Sequence, residues 1–277
     1  MKKERVDVLA FNQGLFETRE KAKRGVMAGL VYDTNNLRMD KPGEKIAIET
    51  ELHLKGEGLK YVSRGGLKLE KALNVFGIEM TDKILLDIGS STGGFTDVAL
   101  QNGTKMSYAL DVGYNQLAWK LRQDDRVVVM ERTNFRYSKP EDFTEGLPDI
   151  ASIDVSFISL RLILPVLKTI LKTGGHVVAL IKPQFEAGKE YVGKNGIIRE
   201  PETHEMVVNN MLEFMVSEGY HVTGLDYSPI KGGEGNIEFL ACLTWKGETE
   251  AGTTVKEIDE WTKEIVAQAH QDLKAKN

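Results

Sequence analysis

Hydrophobic positions along the chain change their spacing near residue 63. Before it they come in short groups: Val6, Leu9, Ala10 and Phe11, then Ala22, Val26 and Met27, spaced as two short helices. Gly14 ends the first, and Glu17, Thr18 and Arg19 open the second. From Gly29-Leu30-Val31-Tyr32 a turn-rich β segment runs to residues 45–50, where polar and apolar side chains alternate. Lys55, Gly56, Glu57 and Gly58 read as linker. The expected organisation is a small α+β domain over residues 1–58, a linker over 59–66 and a large domain over 67–277.

Beyond residue 63 the pattern becomes strand and helix in alternation. Ser63 is placed to cap a helix through Leu67, Leu69, Ala72, Leu73 and Phe76. Apolar β-rich runs predict strands over 84–88, 107–110, 127–130, 150–153 and 176–181. Helical spacing predicts helices over 95–101, 160–171 (tolerating Pro165) and 202–218. Two further strands, 221–227 and 236–245, are joined by Lys-Gly-Gly-Glu-Gly, too short for a helical crossover, so they are expected to pair antiparallel. Val255, Ile258, Trp261, Ile265 and Val266 predict a last amphipathic helix that packs. A mostly parallel sheet with an antiparallel end hairpin is α/β, in the Rossmann-like outline of methyltransferases that use a sulfonium cofactor.

Composition narrows this only by exclusion. The 277 residues are 41% hydrophobic and 28% charged, an ordinary globular balance. No run approaches the 18 apolar residues of a membrane span, and the basic N-terminus lacks the apolar core of a signal peptide. One cysteine, Cys242, excludes an internal disulfide, and five scattered histidines offer no metal spacing, which suits a reducing cytoplasm. The net charge of −5 is uneven. Residues 1–28 carry seven basic side chains against four acidic, and residues 247–277 seven acidic against four lysines. A local basic face decides nucleic-acid contact more than the total does.

The stretch LLDIGSSTGGF, residues 85–95, is strand, glycine turn and helix. The dinucleotide fingerprint fails because Gly89 is followed by two serines, and the phosphate-loop pattern fails because Phe95 stands where a lysine belongs. What remains is a compact turn of Gly89, Ser90, Ser91, Gly93, Gly94 and Phe95 behind an acid, Asp87. S-adenosylmethionine, which has no phosphate, suits such a turn, with Asp87 meeting its methionine amine. Asp111 ends the next strand 24 residues later, where an acid would bind both ribose hydroxyls. Asn134, after the third strand, is a candidate for the adenine side.

The reaction follows from what the fourth strand lacks. Its end, Ile153-Asp154-Val155-Ser156-Phe157, is not the Asn/Asp-Pro-Pro-aromatic tetrapeptide of amino-group methyltransferases, and Cys242, mid-strand, reads as core rather than as a nucleophile. Transfer to a hydroxyl remains, and it requires a general base. Lys182 follows an apolar strand in HVVALIKPQFEAG, at the carboxyl edge where ligands bind. A free lysine of pKa ~10.4 is only roughly 0.04% neutral at pH 7, so burial or a neighbouring cation is needed. Lys68 is that candidate cation, and Asp154 and Glu238 would hold and balance the two ammonium groups. The proton acceptor is either Lys182 or a water it orients.

These residues carry a resemblance. SRGGLKLEKAL, LLDIGSSTGGFTDVAL, ALDVGYNQLAW, IDVSFISL, ALIKPQFEAG and GNIEF, in this order across nearly the whole chain, closely resemble the TlyA or hemolysin A family, related to FtsJ-type RNA 2′-O-methyltransferases. The resemblance implies a catalytic Lys-Asp-Lys-Glu set on Lys68, Asp154, Lys182 and Glu238, and methylation of cytidine 2′-hydroxyls in ribosomal RNA. It implies ribosomal RNA or ribosomal subunits as partners, and neither DNA nor membrane. The N-terminal segment is similar to a small RNA-binding domain of ribosomal proteins through Arg5-Val6-Asp7, Gly14-Leu15, Thr18-Arg19, Ala22 and Gly29-Leu30-Val31. It departs at Tyr32-Asp33-Thr34-Asn35, where that domain usually shows Val-Asn-Gly. Arg5, Arg19, Lys23 and Arg24 are the expected phosphate contacts, and Arg64, beside Gly65 and Gly66, is expected to couple the two domains. The Gly- and Lys-rich loop over 186–199 is a candidate to close over RNA, or a plain crossover.

Two other classes compete. A membrane-lysing protein needs a secretion signal and a spanning or amphipathic element; residues 160–171 are too few, and Arg161 and Lys168 interrupt them. An RNA-binding assembly factor with an inactive methyltransferase domain is opposed by the intact set of four polar residues.

Overall fold

The computed structural model describes residues 3–33, 37–50, 52–54, 60–232 and 235–274, apart from the side chains of 194 and 274. It divides into two compact units, residues 1–60 and 61–277. The expected linker residues 55–58, the Thr34-Asn35 part of the divergent turn, and two residues of the 231–235 connection lie outside the described residues.

The first unit runs β1 (Lys3–Arg5), α1 (Val6–Asn12), α2 (Arg19–Met27), β2 (Val31–Asp33), β3 (Lys45–Ala47) and β4 (Leu52–Leu54). Strands β1 with β3, and β2 with β4, form two antiparallel pairs. Thr18 caps α2, its hydroxyl accepting from Lys21 N at 3.1 Å. Val6, Leu9, Ala10, Ala22, Val26 and Val31 supply the core, which explains their helical spacing. Strand β1 had no legible signal, since three residues are too few to show a period.

The second unit holds α3 (Gly66–Phe76), β5 (Ile84–Ile88), α4 (Gly94–Gln101), β6 (Met106–Leu110), α5 (Trp119–Arg122), β7 (Val127–Met130) and β8 (Ile150–Ile153). It continues with α6 (Leu164–Leu167), β9 (His176–Ile181), α7 (Pro183–Glu186), α8 (Pro201–Ser217), β10 (His221–Tyr227), β11 (Phe239–Thr244) and α9 (Ile258–Lys274). One seven-stranded sheet has the order β10-β11-β9-β8-β5-β6-β7. Strands β5 to β9 are mutually parallel, whereas β11 inserts antiparallel between β9 and β10. Alternate residues face opposite layers. Val177, Ala179 and Ile181 pack with Met211 and Leu212 of α8, and Val178 and Leu180 pack with Leu69 of α3 and Val98 of α4. Covering both faces is what makes these strands read as continuous apolar runs.

Three expectations change. The helix expected over 160–171 is a 3-10 turn, Leu160–Leu162, followed by the short α6. Pro165 lacks an N–H and restricts the residue before it, so it sits in the first turn of a helix instead of inside one. Helix α3 starts at Gly66, not at Ser63, whose carbonyl closes the preceding turn onto Gly66 N at 3.1 Å. Residues 61–66 are a packed part of the second unit: Tyr61 is buried, and Val62 N donates to the buried Asp97 carboxylate at 2.8 Å.

Candidate active site

Four chain segments converge at the carboxyl edge of the parallel strands. Asp154 is the residue after β8 and Lys182 the residue after β9. Glu238 immediately precedes β11, whose first residue Phe239 pairs with Ile181, so the antiparallel insertion brings Glu238 back beside Lys182. Lys68 comes from the first turn of α3, seated over the sheet by Leu69, Ala72 and Leu73. Its approach depends on glycines. A Cβ on Gly94, opening α4, would stand 2.4 Å from Ser63 Oγ and 2.8 Å from Gly66 N, so the Arg-Gly-Gly and Thr-Gly-Gly segments interlock.

The four side chains form one network. Lys68 Nζ donates to Glu238 Oε2 at 2.6 Å and to Asp154 Oδ2 at 3.3 Å. Lys182 Nζ lies 2.5 Å from Asp154 Oδ1 and donates to Ser156 Oγ at 3.3 Å. Lys68, Lys182 and Glu238 are buried, and Asp154 is partly open. Burial by itself would lower the Lys68 pKa, but the Asp154 and Glu238 carboxylates outweigh it and hold it raised. Burial would raise Asp154, but the two ammonium groups hold it below the usual carboxylate range. Lys68 is thus a fixed cation and Asp154 a fixed anion, while Lys182 is held by one carboxylate and a hydroxyl.

Beside this network lies a cavity of about 300 Å³. Gly89, Ser91, Asp111 and Asn134 line it, and so does Asp154. Gly89 has φ +83°, and a Cβ there would stand 2.4 Å from the Asp154 carbonyl, so the turn presents bare backbone. Asp111 accepts from Ser91 N at 2.8 Å and Gly113 N at 2.7 Å, which leaves carboxylate lone pairs for a diol. The apolar wall is Val112, Phe135 and Ile163, and no lysine or arginine among the described residues lines the cavity. A phosphate would find no cation here; a phosphate-free nucleoside with a sulfonium fits this donor set.

The remaining loop residues do other work. Asp87 does not reach the cavity. It is fully buried, accepting from Thr96 N at 3.1 Å, Thr96 Oγ1 at 2.8 Å and Ser152 Oγ at 3.1 Å. Burial pushes its pKa up to about 7 against the opposing hydrogen bonds from Thr96 and Ser152. It ties the start of α4 to β5 and β8, so the methionine-amine role expected for it falls away. Ser90 is buried and closes the turn through Gly93 N at 2.7 Å. Gly93 packs against Leu117 and Leu121, Gly94 against Ser63, and Phe95 is core.

Sequence reasoning missed the cavity residues Gln116, Thr133, Ser156 and Phe157. Phe157 carries the one available signal, an aromatic three residues past a strand-end acid. It is 91% exposed at φ +62°, with its ring centroid 4.9 Å from that of Phe185.

In the first unit, the expected phosphate contacts divide. The Arg5 guanidinium forks the buried Asp7 carboxylate, with Nε and one terminal nitrogen both at 2.9 Å, and Arg19 Nε lies 3.6 Å from the same group. The Arg5 hydrogen bonds outweigh burial and hold Asp7 below the usual carboxylate range. The Arg-Val-Asp motif is therefore first a structural pair. Arg24 reaches Glu20 at 4.0 Å, while Lys23 makes no ion pair among the described residues. Arg64, in the second unit, is exposed. The loop over 186–199 is tethered: Asn236 accepts from Ile198 N at 3.0 Å and donates to Gly196 O at 2.9 Å.

A strand-end Lys-Asp-Lys-Glu network beside a cavity at the carboxyl edge of the sheet suits a methyltransferase, and the family comparison shows that class. The FtsJ-like methyltransferase model matches residues 61–245, and the chain belongs to that family, among the proteins named TlyA and hemolysin A. It is 63% identical over 275 residues to a Bacillus subtilis protein named "Putative rRNA methyltransferase YqxC", covering 99% of this chain and 97% of that one. It is 38% identical over 257 residues to the 16S/23S rRNA (cytidine-2′-O)-methyltransferase TlyA of Mycobacterium tuberculosis, covering 92% and 94%. A solved structure described as "Putative hemolysin from Streptococcus thermophilus" is 64% identical and superposes with a TM-score of 0.79, covering 100% of this chain and 98% of that one.

Proposed function

We propose that the protein transfers a methyl group from S-adenosylmethionine to the 2′-hydroxyl of a cytidine in ribosomal RNA. The observation that carries this reading is the Lys182–Asp154 contact of 2.5 Å beside the cavity, with Lys68 and Glu238 completing a set of two lysines and two carboxylates. S-adenosylmethionine, when bound, supplies an electrophilic methyl group on a positively charged sulfur. Asp111 and Asn134 are assigned to its ribose and adenine, and the bare backbone at Gly89 and Ser91 to the rest of its length. Lys182 takes the hydroxyl proton, directly or through one water. Asp154 orients Lys182. Lys68, held in turn by Glu238, keeps Asp154 charged and in place.

RNA as the substrate class is supported by the rim. The Arg132 guanidinium lies 4.1 Å over the exposed Tyr114 ring, and Arg136 and Tyr137 stand exposed on the loop after β7. With Phe157, these are aromatic and guanidinium planes on which unstacked bases can rest. In the first unit, Lys23 and Arg24 on α2 are the side chains assigned to phosphates, with Arg5 and Arg19 shaping that face through Asp7. The relatives' hemolysin names find no matching element: no helix among the described residues is long and apolar enough to cross a membrane.

The test is incubation with methyl-labelled S-adenosylmethionine and unmodified ribosomal subunits, beside a Lys182→Ala variant. Label on a cytidine ribose 2′-oxygen, lost in a variant that still binds cofactor, is the expected outcome. Tight cofactor binding without transfer to either subunit would overturn the ribosomal substrate.

A further inference from the structure

We propose that Ser156 is a positioning residue for the methyl-transfer base: with Asp154 it fixes the direction of the Lys182 amine's remaining valence. The inference rests on the reading of Lys182 as proton acceptor given above.

Besides Cε, Nζ has three tetrahedral positions. In the neutral, proton-accepting form two are N–H bonds and one is the lone pair. Asp154 Oδ1 at 2.5 Å takes one N–H, and Ser156 Oγ at 3.3 Å takes the second. Both acceptors belong to residues that line the cavity. With both N–H directions occupied, the lone pair is confined to the third. Asp154 alone would leave the amine free to spin about the Cε–Nζ bond, aiming the lone pair productively only part of the time. Glu238 does not take over this task, because its carboxylate is held by Lys68 at 2.6 Å.

The segment that carries Ser156 is built to hold it. At one end Asp154 N donates to Ile88 O at 3.0 Å. At the other, Glu186 accepts from Ser159 Oγ at 2.6 Å and from Leu160 N at 2.8 Å. Glu186 lies four residues beyond Lys182, so the element that follows the base grips the loop that presents Ser156. Phe157, with left-handed backbone and its ring tilted against that of Phe185, closes this bracket between them. Ser156 is itself exposed, and the hydrogen bond its hydroxyl accepts is the one from Lys182.

During transfer the ribose oxygen bonds to the methyl carbon as the methyl–sulfur bond breaks, its electron pair staying on sulfur. The hydroxyl proton ends on Lys182 Nζ. Ser156 gains and loses no proton; it sets direction only.

The experiment compares the full-length chain with Ser156→Ala and Ser156→Thr, reading methyl transfer to ribosomal subunits from pH 6 to 10 and S-adenosylmethionine affinity by calorimetry. Ser156→Ala is expected to lose kcat by about tenfold, with a displaced pH profile, unchanged KM for RNA and unchanged cofactor affinity. Ser156→Thr, which keeps Oγ, is expected to recover most of the rate and the original profile. A Ser156→Ala protein with the parent rate and profile would overturn the inference alone, as would a loss confined to cofactor affinity. Absence of transfer by the parent protein would overturn the functional reading and this inference together.

Discussion

Lys68 Nζ lies 2.6 Å from Glu238 Oε2, joining the first turn of α3 to the residue before β11 across 170 positions of sequence. Both side chains are buried, so each is the other's solvent. Removing Lys68 leaves the buried Glu238 carboxylate without a partner, which costs about 3–5 kcal/mol. Lys68→Met is therefore expected to lower unfolding free energy by about that much in urea titration. The double variant Lys68→Met/Glu238→Gln is expected to lose less than Lys68→Met alone, while both lack transferase activity. If the double loses at least as much as the two single variants summed, the pair is not coupled.

Asp87 gives a pH signature of the opposite hand from most carboxylates. Its folded pKa of about 7 lies above the ordinary 3.8. Its stabilising contribution is thus complete below pH 3.8 and is lost as pH rises through 7, when a fully buried carboxylate must ionise. Asp87→Asn keeps an acceptor for Thr96 and gains a donor for Ser152. We expect it to melt above the parent protein at pH 8.5, by roughly 2–4 °C for each kcal/mol recovered, with the advantage gone by pH 5. A variant less stable at pH 8.5 would show that the ionised form is the one the site prefers.

What was legible in the sequence follows from periodicity and strand ends. The parallel strands announce themselves because both faces are covered, and Asp154, Lys182 and Asp111 are readable because they stand where those strands stop. The part played by the glycine turn was not. Asp87 looks like a ligand group in LLDIGSSTGGF, yet the burial that makes it a loop anchor comes from Thr96 and Ser152, and the latter lies 65 residues away. Arg5 and Arg19 look like phosphate contacts until the fold brings Asp7 between them. Ser156 and Phe157 had no period to mark them, because loop residues are set by the elements that grip them, here Glu186 and Phe185.

His204 and His270 predict an acid weakness in the α8–α9 packing. His204 Nδ1 and His270 Nε2 are 2.8 Å apart, and His204 is fully buried with its ring against Phe239. Burial, then the neighbouring His270, brings the His204 pKa down from 6.5 to about 4. Stability from the neutral ring is complete above pH 6.5 and is lost as pH falls towards 4, because the unfolded chain takes up the proton first. His204→Leu is expected to be less stable at pH 7.5, where it forfeits the hydrogen bond, with the deficit shrinking as pH drops to 4.5. Melting curves at four pH values check this; a deficit that grows on acidification would refute it.

Phe157 separates substrate recognition from folding. A bulky residue at φ +62° is strained, and 91% exposure returns little burial in exchange. Such a residue is costly to the fold and lines the cavity, three residues past Asp154 and with its ring tilted against Phe185. Phe157→Ala should therefore leave unfolding free energy within about 0.5 kcal/mol of the parent, while Phe157→Gly should raise it slightly by relieving the left-handed backbone. A base stacked on this ring is worth about 1–3 kcal/mol. Both variants are accordingly expected to raise KM for ribosomal RNA by about tenfold or more, with S-adenosylmethionine affinity by calorimetry unchanged. An unchanged KM would leave the Phe157–Phe185 pair a feature of the loop's conformation, and would move base recognition to Tyr114 and Arg132 on the opposite rim.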